Sequence, residues 1–374
     1  MVNSTEVCIL HGFEFHSSCN TLEVTQDQET VIGTGSYKPC MAVFDLLGHT
    51  QKFERNTDEE TIKIAALGQD WKKLALLHKT GKLEFHTQFG KYYTVDLPQE
   101  CRDMKADLVR GEVLASGKEA SIFRFTTVEG KFLAPIATKV SDIEGIALNT
   151  THSLYGACGK GGEFEFIDAR SQTSIRTSSL GSAAATSCTF SEDGLLFGVG
   201  THEGLSALYD LRSPKPLLEK DQNNDFPIKK IQIQKKTVIT TDKKAVKVWS
   251  RQTGKTLASA EPGFQINASA TSEGILFIGG DSPDMKTYYV PELGGIPKWC
   301  SYLEHSTEEM FEAKKETYFN HYRFLTQEDL YALNLQKEIG KEVKPHMHGY
   351  LVPKDLFEKC SAPKASYSAP TRFI

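Results

Sequence analysis

The sequence has no run near the roughly 18–20 consecutive apolar residues that a membrane-spanning helix needs. Met1 to Leu10 carries neither a basic start nor a long apolar stretch, so no secretory leader is expected. Its 8 cysteines stand at 8, 19, 40, 101, 158, 188, 300 and 360 and form no C-x-x-C pair. A zinc knuckle and a thiol redox pair are therefore unsupported, and scattered thiols without a leader point to a reducing compartment. G-x-S-x-G and H-E-x-x-H are missing. Gly254-Lys255-Thr256 is no phosphate loop, because Trp249 stands where the loop needs its first glycine. Gly33-Thr34-Gly35 sits between strands with no helix to follow, so dinucleotide binding fails too. His346-Met347-His348 offers two imidazoles, and a metal site wants three or four ligands. The chain thus gives no catalytic, cofactor or metal candidate. A net charge of −5 also excludes an overall basic coat for nucleic acid.

What the chain does have is a folded composition and a repeat. Hydrophobic residues make up 39% and charged residues 24% of its 374 positions, enough to build a sizeable core. Short alternating stretches recur with an aromatic anchor: Phe44, Phe85, Phe123, Phe166, Tyr209, Trp249 and Tyr288. Their separations are 41, 38, 43, 43, 40 and 39 residues. A period near 40 with four short strands per unit is the signature of WD-repeat propellers. Ser191-Glu192-Asp193-Gly194 and Thr271-Ser272-Glu273-Gly274 read as tight turns with the glycine left-handed. Asp45, Asp168 and Asp210 end anchor strands, where an Asp commonly accepts backbone N–H bonds in the following turn.

Seven anchors predict an all-β, seven-bladed β-propeller over residues 6–293. Each anchor strand is third in its blade, so the seventh blade lacks a fourth strand, and Glu6 to Leu10 is expected to fill that edge and close the ring. From about Gly294 the pattern changes to a short, mainly helical extension over 294–360. Capping boxes at Ser306 and Thr326 predict helices to about Thr317 and Leu333, and Pro353 predicts a third at its first position, ending near Lys359. The tail, 361–374, reads as disordered.

One charge feature opposes the acidic total. Between Lys229 and Lys255 the bases are Lys229, Lys230, Lys235, Lys236, Lys243, Lys244, Lys247, Arg251 and Lys255, and the only acid is Asp242. Such a run could bind RNA or an acidic partner, or could be a solvated face.

Several stretches carry a family resemblance. Gly33 to Pro39, Val43-Phe44-Asp45-Leu46, Lys52-Phe53-Glu54-Arg55 and Leu208 to Ser213 are similar to propeller segments of the nucleolar protein ten family, called essential nuclear protein two in fungi. The more specific matches lie outside any generic propeller: Pro297-Lys298-Trp299-Cys300-Ser301-Tyr302-Leu303-Glu304, Tyr322-Arg323-Phe324-Leu325-Thr326 and His346-Met347-His348-Gly349-Tyr350. The resemblance spans roughly residues 6–360. It implies a non-enzymatic scaffold of the small-subunit processome in the nucleolus, contacting ribosome assembly factors, pre-rRNA and guide RNA. It implies no cofactor, no small-molecule substrate and no membrane contact. Trp299, Tyr302, His346, His348 and Tyr350 become candidate partner-binding residues, because aromatics are enriched at interfaces. The rivals are a generic WD-repeat adaptor, such as a ubiquitin-ligase substrate receptor, and a propeller hydrolase. No K/R-rich 5–8-mer supplies an import signal, so entry to the nucleus bound to a partner is the expectation.

Overall fold

In the computed structural model the described residues are 13–301 apart from 182, then 322–333, 335, 343–346 and 348–361. The chain divides into two compact units, Met1–Trp299 and Cys300–Ile374. Strands are labelled β1–β30 in chain order.

The first unit is a succession of antiparallel sheets with strands in sequence order. Six have four strands, over residues 19–56, 61–96, 101–137, 143–179, 185–221 and 230–260, and the seventh, over 266–289, has three. Burial follows strand position. Second strands such as β2 (Thr30–Gly35), β10 (Glu112–Gly117) and β26 (Ile275–Gly280) are buried at every residue, as strands covered on both faces must be. Outer strands such as β16 (Ser174–Ser179) and β20 (Pro216–Asp221) alternate half-buried with exposed residues.

The cores sit between consecutive sheets. Ile32, Met41 and Val43 of the first pack on Ile64, Leu74 and Leu76 of the second. Leu83 and Phe85 of the second meet Met104 and Phe125 of the third. Phe164 and Phe166 of the fourth meet Phe197 and Tyr209 of the fifth, and Val248 of the sixth meets Ile278 of the seventh. The seventh also lies against the first, where Asn267 Nδ2 donates to the Cys19 carbonyl at 3.3 Å. Fully burying a Phe or Leu contributes about 1.5–3 kcal/mol, so these seams carry much of the stability.

The sequence anchors fall on the third strands: β3 (Cys40–Asp45), β7 (Lys82–Thr87), β11 (Ser121–Thr126), β15 (Glu163–Asp168), β19 (Leu205–Asp210), β23 (Val246–Ser250) and β27 (Ser282–Tyr289). The register corrects three of them. The residue opposite the second position of the second strand is Phe44, His86, Phe125, Ile167, Tyr209, Trp249 and Tyr288 in turn. Phe85, Phe123 and Phe166 stand one or two places early. The equivalent positions are 42, 39, 42, 42, 40 and 39 residues apart, a more even period than the aromatics alone give.

The start of the described chain joins the seventh sheet. Phe15 N donates to the Pro283 carbonyl at 2.8 Å and Met285 N to the Phe13 carbonyl at 3.1 Å. Phe13 and Phe15 are buried, and both rings lie on Phe44 of β3, with centroids at 4.7 and 5.6 Å. The strand expected at Glu6 to Leu10 lies outside the described residues, and the observed pairing is made by residues 13–15.

Turn chemistry is mixed. Gly194 is left-handed (φ +69°), as expected. In the turn before β26 it is Glu273 that is left-handed (φ +47°), and Gly274 has another reason to be glycine: a Cβ there would stand 2.7 Å from the Gly294 carbonyl oxygen. Asp168 Oδ1 accepts from Arg170 N at 2.9 Å and Asp210 Oδ1 from Arg212 N at 3.0 Å, while Asp45 instead pairs with Lys52 at 3.3 Å. Gly33-Thr34-Gly35 lies inside β2 rather than between strands.

The second unit departs from the mainly helical expectation. Its described part holds a three-stranded antiparallel sheet in the order β28 (Tyr322–Leu325), β30 (Gly349–Pro353), β29 (Lys344–His346), with two helices, α1 (Gln327–Ala332) and α2 (Lys354–Ser361). Strands of three to five residues are too short for alternation to mark them. The Thr326 capping box is present: Asp329 N donates to Thr326 Oγ1 and Thr326 N to Asp329 Oδ2, each at 3.3 Å. Pro353 ends β30 and precedes α2 instead of opening it. The helix expected from Ser306 and the tail from residue 362 lie outside the described residues.

Candidate interaction surfaces

The seven first strands line one cavity of about 460 Å³. They are β1 (Cys19–Val24), β5 (Thr61–Ala66), β9 (Cys101–Asp107), β13 (Ile143–Asn149), β17 (Ala185–Phe190), β21 (Lys230–Gln234) and β25 (Ile266–Ser272). Six of them slip register between their first and third residues, a bulge that bends and twists the strand at the same place each time. The cavity is charged. Lys63 Nζ lies 3.3 Å from Asp103 Oδ1, and Asp103 Oδ2 accepts from Ile146 N at 2.7 Å. The Asp103 carboxylate holds the Lys63 ammonium above its ordinary pKa. Burial pushes the Glu23 carboxyl up, although Lys105 and Lys230 pull it back.

The basic run of 229–255 is dispersed by its hairpins. Lys229 and Lys230 line the cavity; their ammonium groups donate to the carbonyls of Ile266 at 2.6 Å and Ser269 at 2.7 Å. Lys235 and Lys236 turn out at one end, where Arg251 N donates to the Lys236 carbonyl. Arg251 is itself paired with Asp193 at 3.3 Å. Lys243 and Lys244 lie in the next turn, at the opposite end, and the Lys247 ammonium donates to the Gln222 carbonyl. One linear cluster thus becomes two ends, a flank and a channel wall.

Sequence reasoning missed two features. The first is a polar cluster inside the second sheet. Glu84, 2% exposed, lies 3.2 Å from both His78 Nε2 and His86 Nε2, and Lys91 Nζ closes on its other oxygen. Burial alone would raise the Glu84 pKa, but the bonds from Lys91 and the imidazoles more than offset it and hold it below the ordinary value. Burial lowers the pKa of His86. The second is an exposed aromatic edge: Phe89, Tyr92 and Tyr93 are 94%, 78% and 53% exposed at the turn into, and along, β8 (Gly90–Asp96). Three aromatics within five residues of an outer strand were the available signal.

Among the partner-binding candidates, Trp299 is half-buried within the first unit. Its ring stands edge-on to His49 at 5.8 Å and parallel to Phe277 at 6.4 Å, so it spans the first and seventh sheets. Its indole nitrogen is buried without a hydrogen-bond partner among the described residues. Tyr302 lies outside the described residues. His346 and His348 belong to the β29–β30 hairpin, where His348 is exposed, and Tyr350 packs against the small core of Leu325, Leu330 and Val352. The seven described cysteines are all free, and burial raises the thiols of Cys40 to about 11 and Cys101 to about 12, far from a reactive thiolate.

Consecutive four-stranded sheets, cores in the seams between them and first strands around a shared channel define a protein of the β-propeller class. Residues 2–314 match the Nucleolar protein 10-like N-terminal domain, a β-propeller, and residues 318–364 match the Nucleolar protein 10-like second domain. The chain belongs to the Nucleolar protein 10-like family. It is 32% identical to Ribosome biogenesis protein ENP2 of Saccharomyces cerevisiae and to Nucleolar protein 10 of Rattus norvegicus, over 94% of this chain in each case and over 52% and 53% of those proteins. It is 30% identical to the Ribosome biogenesis protein enp2 homolog of Schizosaccharomyces pombe, over 95% of this chain and 60% of that one. The chain spans about half the length of the curated relatives it matches.

Proposed function

We propose that this protein is a non-enzymatic scaffold of ribosome biogenesis in the nucleolus, acting in the small-subunit processome. In this reading the seven sheets are the blades of a propeller closed through the Phe13–Phe15 segment, and the second unit is a separate docking module. The scaffold holds assembly factors and pre-rRNA with its guide RNA. The observation that carries the reading is the match to relatives named for ribosome biogenesis and the nucleolus across nearly the whole chain and both family domains. The physical form supports it. A closed ring of packed blades is rigid, and its ends, flank and outer edges can hold partners at fixed geometry. The exposed edge of Phe89, Tyr92 and Tyr93 suits protein contact, and the outward lysines at 235, 236 and 244 suit a phosphate backbone.

The test is purification of the tagged protein from cells, with sequencing of crosslinked RNA and mass spectrometry of bound proteins. Small-subunit pre-rRNA, its guide RNA and processome factors are the expected recovery. Ubiquitin-ligase subunits without RNA would overturn the reading in favour of a generic adaptor.

A further inference from the structure

The channel holds more cationic than anionic side chains at its centre. Lys63 is matched by Asp103. Glu144, also on the lining, is held by Arg102, so Lys105 and Lys230 share Glu23, and Lys105 has no hydrogen-bond or ion-pair partner among the described residues. Lys229 adds a fourth ammonium on the same wall. Lys230 is half-buried, and a cation in a partly desolvated space is costly unless an anion joins it. Lys105 and Lys229, both exposed, line the same cavity and can close on that anion. The cavity, about 460 Å³, has the size of a small-molecule site, and no aromatic side chain lines it among the described residues. A nucleobase would find no stacking surface there, whereas a compact anion would find ammonium groups, hydroxyls and backbone.

We infer that the channel binds a small phosphate polyanion, held by Lys105 and Lys230 with Lys229 beside them. The site is independent of the scaffold role and would occupy the middle of the ring.

The inference has a proton signature. Burial first, then the charge of Lys105, lowers the Lys230 pKa to about 7. The groups bearing on it are Lys105 and Asp103 from β9, Glu23 from β1 and Lys63 from β5, while β25 contributes the Ser269 carbonyl. An arriving anion stabilises the ammonium form and raises that pKa, so binding takes up a proton near neutral pH. Glu23, already raised by burial, also loses its competing charge as pH falls. Both effects strengthen binding from pH 8 to about pH 7, below which the terminal phosphates begin to take up protons and lose charge.

The test is titration calorimetry of the whole chain with tripolyphosphate at low salt, in two buffers of different ionisation enthalpy. The expected result is one site, net proton uptake at pH 7 and tighter binding at pH 7 than at pH 8. Lys105→Gln should weaken binding about tenfold, the effect of losing one charge-assisted contact. Glu23→Gln should tighten it, a direction that structural damage does not produce. Lys235→Ser with Lys236→Ser, at one outer end, should leave it unchanged. Thermal unfolding of each variant checks the fold. Absence of binding, equal binding in the Lys105 and Glu23 variants, loss in the outer-lysine variant, or binding of single-stranded RNA that tripolyphosphate does not displace would each overturn the inference.

Discussion

Glu84 shows what one buried charge demands. Its two oxygens meet two imidazoles and an ammonium, so the carboxylate stays ionised although almost no surface is exposed. Removing Glu84 leaves two buried imidazoles without their acceptor, while Lys91, 44% exposed, keeps Asp58 at 3.0 Å. The cost is that of lost buried hydrogen bonds, about 1–3 kcal/mol. Glu84→Gln keeps the shape and should lower stability by about that much, read from the denaturant midpoint. The pH dependence has a defined sign. Glu84 has a depressed folded pKa, so its contribution is full above the unfolded carboxylate value of about 4.3 and is lost as pH falls through the folded value. His86 is also depressed, so the unfolded chain takes up its proton first, beginning near pH 6.5. The melting temperature should therefore start to fall below about pH 6.5 and fall again below about pH 4. Glu84→Gln should flatten the acid limb, and an unchanged limb would remove Glu84 from the account.

At the scale of elements, the segment Phe13–Phe15 decides how the first and seventh sheets are held. It bonds to β27 through backbone and to β3 through one stacked and one edge-on ring contact, so it ties two elements about 240 residues apart in sequence. Phe13→Ala should cost about 3–5 kcal/mol, the usual range for a buried aromatic. Tyr92→Ala, on an exposed edge, should stay within about 0.5 kcal/mol in the same denaturant series. Equal effects would mean that the segment is not part of the folded core.

How far these elements can be read from the sequence follows from their burial. Third strands are legible because most place an apolar pair in the seams, and that pair recurs about every 40 residues. The phase was harder: Phe85 and Phe166 are buried one place before the equivalent position, and His86 and Ile167 occupy the position itself. An aromatic count follows ring size, while register follows backbone pairing. The channel was not legible, because its charges come from β1, β5, β9 and β21, far apart along the chain. The lysine run misleads for the converse reason. Hairpins send successive lysine pairs to opposite ends, so linear charge density is not surface density.

In the proposed scaffold role, separate surfaces would allow partner contacts to be removed one at a time. Changing Phe89, Tyr92 and Tyr93 to Ser leaves the seams intact, so the melting temperature should hold while recovery of protein partners drops. Changing Lys235, Lys236 and Lys244 to Ser should leave protein partners in place and weaken RNA retention. Those lysines would meet phosphate by counterion release, so each lost contact reduces the slope of log affinity against log salt by about 0.7 for a single strand. The two variants thus separate the surfaces by different readouts: partner mass spectra for the aromatics, salt dependence for the lysines. If the aromatic variant loses RNA and proteins together while the lysine variant loses neither, RNA reaches this protein through its partners, and the basic ends are solvated faces.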